Sequence, residues 1–157
     1  MYKKGFTLIE FLIVMSIIGI LTISGISTFT TSLQRSRDAR RKADISTIQK
    51  GLELYYTDKN AYPLTGPNNS STRMCSQGFR TAAQTCDAPI YIQNLPKDPL
   101  GSFYYYETDA TGSYYKIYSD IERSDDSGTG VNQGGYAGTT CNASLCKYGI
   151  SSTNTTP

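Results

Sequence analysis

From Phe6 to Phe29 the chain is apolar almost without a break, and Glu10 is the only charged residue between Lys4 and Arg35. About twenty apolar residues cross a hydrocarbon core as a helix, so this segment is long enough to span one. Residues 11 to 21, FLIVMSIIGIL, have no polar face apart from Ser16. That excludes an amphipathic surface helix and leaves a membrane segment or an export signal. Past Arg35 the helical pattern changes character but continues, with Ile45, Ile48, Leu52 and Tyr55 on one stripe, as an amphipathic helix requires. It should end near Asn60, because Tyr62-Pro63 and the cluster Thr65-Gly66-Pro67-Asn68-Asn69-Ser70-Ser71 break helices. No proline lies between Phe6 and Tyr62, so the pattern predicts one helix of about 54 residues, roughly 80 Å long.

The second half alternates with a different period. Phe103 to Glu107, a turn through Asp109-Ala110-Thr111-Gly112, and Tyr114 to Tyr118 read as a β-hairpin. Residues 89 to 92 and 145 to 150 are weaker strands. A sheet this small needs a cover, and the stripe of Ile45, Ile48, Leu52 and Tyr55 supplies one. The predicted class is therefore α+β: a long N-terminal helix, membrane-spanning in its first half and amphipathic in its second, packed on a small antiparallel β-sheet.

A secretory signal would explain Lys3 and Lys4 as a basic start, with Gly25-Ile26-Ser27 as small residues for cleavage. Glu10 weighs against it, because a carboxylate near the start of the apolar core weakens insertion with no gain to a disposable peptide. The residues Gly5-Phe6-Thr7-Leu8-Ile9-Glu10 instead resemble the class III signal of type IV pilins and pseudopilins. The resemblance implies cleavage between Gly5 and Phe6 by a membrane peptidase that also methylates the new amino terminus on Phe6. It implies four regions: a leader of residues 1–5, a transmembrane and filament-core helix of 6–28, an amphipathic helix of 29–60, and a sheet domain of 61–157. Tyr62-Pro63 and Leu95-Pro96-Lys97-Asp98-Pro99 extend the likeness loosely over most of the chain. Many bacterial pilins carry a proline in this helix. Here the matching stretch has Gly19, Ser24 and Gly25 but no proline, and Gly19 and Gly25 serve either as places of local unwinding or as points of close helix approach.

A charge at the bilayer centre costs about 2.5 to 3.5 kcal/mol on insertion scales, so Glu10 needs a partner. Cleavage creates an ammonium on Phe6. Within one chain the two charges are spaced for an i, i+4 pair. Between chains, Glu10 would reach the ammonium of a neighbouring subunit and set axial register, the best attested use of a buried ion pair. The plain alternative is that Glu10 snorkels to the headgroups.

Formal net charge is +2 over 157 residues, too small to imply a polyanionic partner. It hides an asymmetry: RSRDARRK, residues 35 to 42, is strongly basic, whereas the chain after Lys42 holds more acidic than basic residues. Counting positive charge alone would turn the chain around in the membrane. Cys75, Cys86, Cys141 and Cys146 suit an oxidising exterior, and with the leader motif they favour an N-terminus on the cytoplasmic side. The precursor is then expected in the inner membrane, and the assembled protein in an extracellular pilus or an envelope-spanning pseudopilus. Four cysteines allow three pairings. Local pairing, Cys75 with Cys86 and Cys141 with Cys146, closes two loops that have little core. Zinc is the rival, but C-x4-C is poor spacing and the chain has no histidine.

Asp120, Glu122, Asp125 and Asp126 precede Gly128 and Gly130 and offer oxygen ligands to calcium. Certain pseudopilins of type II secretion bind calcium in a C-terminal loop, yet this run lacks regular loop spacing and reads better as a solvated turn. The expectation is therefore no cofactor, with calcium as the minor alternative. The basic cluster reads as headgroup contacts just outside the bilayer, with Asp38 and Asp44 as neighbours in the filament. DNA binding is the weaker reading, because the cluster lacks interleaved aromatics. Thirteen tyrosines fit half-buried sheet positions better than an adhesive or conducting surface. Without histidine, a phosphate loop or a nucleophile elbow, nothing suggests an enzyme. The expected partners are the prepilin peptidase and methyltransferase, the membrane, and identical or related pilin subunits in a homo- or hetero-filament. The expected function is that of a structural subunit of a type IV pilus-like filament, with a pseudopilin of a type II secretion or DNA-uptake machine as the alternative.

Overall fold

The computed structural model describes residues 5–67, 71–101, 104–141 and 144–157, with the backbone alone for 24–27. Lys3, Lys4, the turn residues Asn68, Asn69 and Ser70, and Phe103 lie outside these residues, as do the side chains of Ser24 and Ile26. A single helix, α1, runs from Leu8 to Lys59. It starts two residues later than the apolar pattern suggested, because Thr7 takes an extended N-cap conformation (φ −88°, ψ 150°). It ends at Asn60, whose left-handed φ of 53° turns the chain while its N–H donates to the Tyr56 carbonyl at 2.7 Å. The helical backbone is continuous through Gly19 and Gly25.

Eight short strands follow: β1 Ser71–Cys75, β2 Gly78–Thr81, β3 Ile90–Ile92, β4 Tyr105–Thr108, β5 Tyr115–Ser119, β6 Thr140–Cys141, β7 Ser144–Leu145 and β8 Tyr148–Ser151. They form two three-stranded antiparallel sheets, β2-β1-β3 and β4-β5-β8, and a two-stranded ribbon, β6-β7. The expected hairpin is β4-β5, in register from Tyr105 opposite Tyr118 to Thr108 opposite Tyr115. Two other parts of the sheet region differ from the expectation. The stretch 71 to 81, which continues out of the breaker cluster, pairs as β1 and β2. The apolar run 145 to 150 is two strands, not one, because Cys146 between them turns into a disulfide.

The core lies between the second half of α1 and the sheets. Ile45, Ile48 and Leu52 are fully buried against Met74, Phe79, Ile92, Leu95, Tyr104, Tyr115 and Ile117. Complete burial of each aliphatic side chain contributes about 1.5 to 3 kcal/mol. Gly51 brings α1 onto β3: a Cβ there would sit 2.5 Å from Ile92 Cδ1 and Cγ1. The tyrosines pack, and their hydroxyls reach carboxylates on the helix. Tyr62 and Tyr115 both donate to Glu53, Tyr104 donates to Asp44, and Tyr91 donates to Asp58. Each hydrogen bond fastens a sheet or loop residue to α1, with Glu53 on one flank of the buried stripe and Asp44 and Asp58 on the other.

Candidate functional site

The site expected from the sequence is the N-terminal end. Gly5 and Phe6 precede the helix and are exposed, so the bond between them lies in a non-helical segment. Thr7 and Glu10 then form a capping box. The Glu10 N–H donates to Thr7 Oγ1 at 3.3 Å, and Glu10 Oε2 accepts from the Thr7 N–H at 2.8 Å and from the Thr7 hydroxyl at 2.7 Å. Two of the orphan donors at the helix start are thereby satisfied. The spacing Thr7-Leu8-Ile9-Glu10 is the local sequence signal for this box. The box also changes the geometry of the expected charge pair. Phe6 lies outside the helix, before the cap, so an i, i+4 pair within one helix is not its arrangement with Glu10.

The first part of the helix has an apolar stretch of mean hydropathy 2.3, long enough to cross a membrane and unburied within the chain. Leu8, Ile9, Phe11, Leu12 and Ile13 all point outward. The polar side chains here are quenched by the helix itself: Ser16 donates to the Leu12 carbonyl and Thr22 to that of Ile18, both at 2.8 Å. A Cβ on Gly19 would meet nothing within 4 Å, which leaves a small flat place on the outer face.

At the base of the domain the structure corrects the reading of residues 35 to 42. Arg37, Arg41 and Lys42 do not face headgroups; they turn inward and hold the segment after β5. Arg41 is fully buried, with Asp38 and Asp98 nearly so. Its guanidinium donates to Asp98 Oδ2, to Asp38 Oδ1 at 2.9 Å and to Glu122 Oε1 at 2.8 Å. Arg37 forks onto both oxygens of Glu122. Asp38 in turn accepts the backbone N–H groups of Glu122 and Arg123 at 3.0 and 3.1 Å. Asp38 and Asp44 therefore have partners within the chain, Asp38 in Arg41 and the backbone of Glu122 and Arg123, and Asp44 in Tyr104. Burial alone would lower the Arg41 pKa, yet its hydrogen bonds to Asp98 and Glu122 hold it above the ordinary value. The hydrogen bond from Arg37 holds the Glu122 carboxyl below its own. Arg41 could have been placed from the sequence: Asp38, Arg41, Ile45, Ile48 and Leu52 fall on one helical stripe, and the buried face extends upstream into charged residues. Arg35 and Arg40 remain exposed, too few to keep the DNA reading attractive.

The four calcium candidates do not converge. Glu122 serves Arg37 and Arg41, Asp125 is forked by Arg123, Asp126 takes Lys42 at 2.6 Å and the Gly128 N–H at 3.0 Å, and Asp120 accepts the Ile121 N–H. Among the described residues no group of acidic, cysteine or histidine side chains is arranged to hold a metal. Lys42 lowers the Asp126 carboxyl, whereas burial raises Asp120. The segment is a strap of ion pairs across the helix. The cysteines are joined as Cys75 to Cys86 and Cys141 to Cys146. The first bond ties β1 to the loop before β3, and the second closes the β6-β7 ribbon.

Comparison with known proteins bears on both ends. The family model described as type II secretion system protein G matches residues 28–134, and that of the prokaryotic N-terminal methylation motif matches residues 1–26. The chain is 29% identical to the type II secretion system core protein G of Pseudomonas aeruginosa, over 74% of this chain and 82% of that one. It is 28% identical to the protein of that name from Vibrio cholerae, over 66% and 70%, and 28% identical to that from Escherichia coli, over 65% and 70%. No solved structure matches the chain. The first match spans α1 from Thr28 onward, strands β1 to β5 and the ion-pair strap, while the second covers the capping box.

Proposed function

Because the chain belongs to the type II secretion system protein G family, we propose that it is a subunit of a type IV pilus-like filament, made as a membrane precursor and assembled through α1. Residues 1–5 are the leader, cut from the chain between Gly5 and Phe6, and Phe6 is then N-methylated by the prepilin peptidase. Residues 6–28 anchor the precursor in the inner membrane, N-terminus inside, and later form the filament core. Residues 29–60 and 61–157 make the domain outside it. The family favours a pseudopilus of a secretion machine, working across the envelope, over a free surface pilus. The observation that carries the reading is a carboxylate held at the start of a helix whose large exposed side chains from Leu8 to Ile23 are otherwise apolar. In lipid that charge needs a cation, and the ammonium created on Phe6 of an adjacent subunit supplies one while fixing how far one helix is displaced along the next.

Glu10→Gln tests this. Glutamine at that position preserves a capping box, so cleavage and anchoring should persist, while the loss of charge should lower the assembled fraction of processed subunit at least about tenfold, if a single buried pair is worth more than about 1.4 kcal/mol. The processed variant, with its start at Phe6 confirmed by mass spectrometry, is then scored for assembly. Normal assembly would leave Glu10 as a snorkelling charge and remove the pairing from the account.

A further inference from the structure

We propose that Thr7 is a positioning residue for assembly: it holds the Glu10 carboxylate by Oε2 so that Oε1 meets the ammonium of a neighbouring subunit. The inference rests on the pairing role of Glu10 and adds the residue that aims it. A glutamate side chain has three rotatable bonds, and among the described residues nothing but Thr7 fixes them. Here two donors of one residue do so. Both the Thr7 N–H and the Thr7 hydroxyl reach Oε2, whereas Oε1 accepts no hydrogen bond among the described residues. The carboxylate is thereby folded back towards the N-terminal end of α1, the direction in which helical side chains already lean. One oxygen is anchored and the other is left for a cation.

The arrangement survives processing. The bond cut lies between Gly5 and Phe6, and the donors lie one peptide further on, in Thr7. The extended cap also leads Phe6 away from the helix, so the new ammonium is not placed one turn above the carboxylate of its own chain. An ammonium from a second subunit then has an oriented acceptor to meet, and less side-chain freedom is lost when it arrives.

A purely structural cap makes a different prediction from a positioning role, and three substitutions separate them. Thr7→Val keeps the shape and loses both hydroxyl functions. Thr7→Ser keeps both. Thr7→Gly is nearly as good an N-cap as threonine but has no hydroxyl to hold Glu10. Each is made in the full chain, and filament-associated subunit is measured as a fraction of the processed pool starting at Phe6. The expected result is an assembled fraction about fivefold lower for Thr7→Val, a similar loss for Thr7→Gly, and recovery in Thr7→Ser. In a Glu10→Gln background, Thr7→Val should cost nothing more. The carboxylate infrared band of isotope-labelled Glu10 in membranes, identified by its loss in Glu10→Gln, gives a readout that needs no assembly. It should move in Thr7→Val and Thr7→Gly and stay in Thr7→Ser. Normal assembly of Thr7→Gly, or an unmoved band, overturns the inference while Glu10→Gln still fails to assemble. Normal assembly of Glu10→Gln overturns the pairing itself, and the role of Thr7 with it.

Discussion

Arg41→Met puts the strap at the base of the domain under direct test. The substitution keeps the length and apolar stem of the side chain and removes a guanidinium that is 1% exposed and bonded to three carboxylates. Asp38 and Asp98, with side chains 3% and 5% exposed, would lose the cation that justifies their burial. Breaking a buried ion pair by removing one partner costs about 3 to 5 kcal/mol, because the remaining charge stays in a poor solvent. In a chain of this size 1 kcal/mol moves Tm by about 2 to 4 °C, so the midpoint should fall by at least about 6 °C. Arg40→Met is the matched control. Its side chain is 66% exposed and its contact with Asp44 is 3.9 Å, so its effect should stay within about 0.5 kcal/mol. Thermal unfolding of the purified full chain in detergent, followed by near-ultraviolet circular dichroism, compares the two. If Arg41→Met melted within a few degrees of the unsubstituted chain, the cluster would not be what holds the segment after β5 to the helix.

Gly51→Ala should destabilise the protein by about 1 kcal/mol in the same assay although alanine is the better helix former by about that amount, because a Cβ 2.5 Å from two Ile92 carbons forces repacking worth about 1 to 3 kcal/mol. A rise in Tm would show that the approach of α1 to β3 is loose. Stability should also fall at both ends of the pH scale. Glu122 and Asp126 sit below their ordinary values of 4.5 and 3.8, so what they contribute is complete above those values and is lost as pH drops through the lower folded ones. Asp120, raised by burial, partly opposes this. Tyr104, Tyr106 and Tyr115 are pushed above 10.0 by burial, so their contribution is complete below pH 10 and is lost above it. Phenolate absorbance should accordingly appear together with unfolding, and early ionisation of all tyrosines in folded protein would contradict their packing. Replacing the Cys75–Cys86 or Cys141–Cys146 pair with serines should cost about 2 to 3 kcal/mol each by loop entropy, and an unchanged Tm would place that bond outside the stabilising set.

What could be read in advance follows from how local each signal is. The span of α1 was legible because the apolar run, the stripe through Ile45, Ile48 and Leu52, and the stop after Lys59 are all periodic or local features. The β4-β5 hairpin was legible because tyrosine-rich strands flank an Asp-Ala-Thr-Gly turn. β1 and β2 were not: STRMC and GFRT are short and polar, and become strands only when Met74 and Phe79 meet the helix. The strap was hidden for the same reason. RSRDARRK and the acidic run lie about 80 residues apart, and nothing in either stretch says that Arg41 and Glu122 meet. Charges that read as surface chemistry one at a time proved to be internal once the fold paired them. Thr7 is a different case, since its signature is local and complete in Thr7-Leu8-Ile9-Glu10, where the carboxylate is both a charge in lipid and half of a helix cap.

The central claim is that this chain is processed at Phe6 and built into a filament through α1, and the amino terminus of the assembled subunit tests both parts together. Filaments or pseudopili are isolated from cells producing the full chain, and the N-terminal peptide of the subunit within them is identified by mass spectrometry. The account predicts a single start at Phe6 carrying an added methyl group on its amine, with Thr7 to Phe29 still attached. A subunit found in soluble exported protein with its start near Thr28, or one assembled with Met1 still in place, would contradict it.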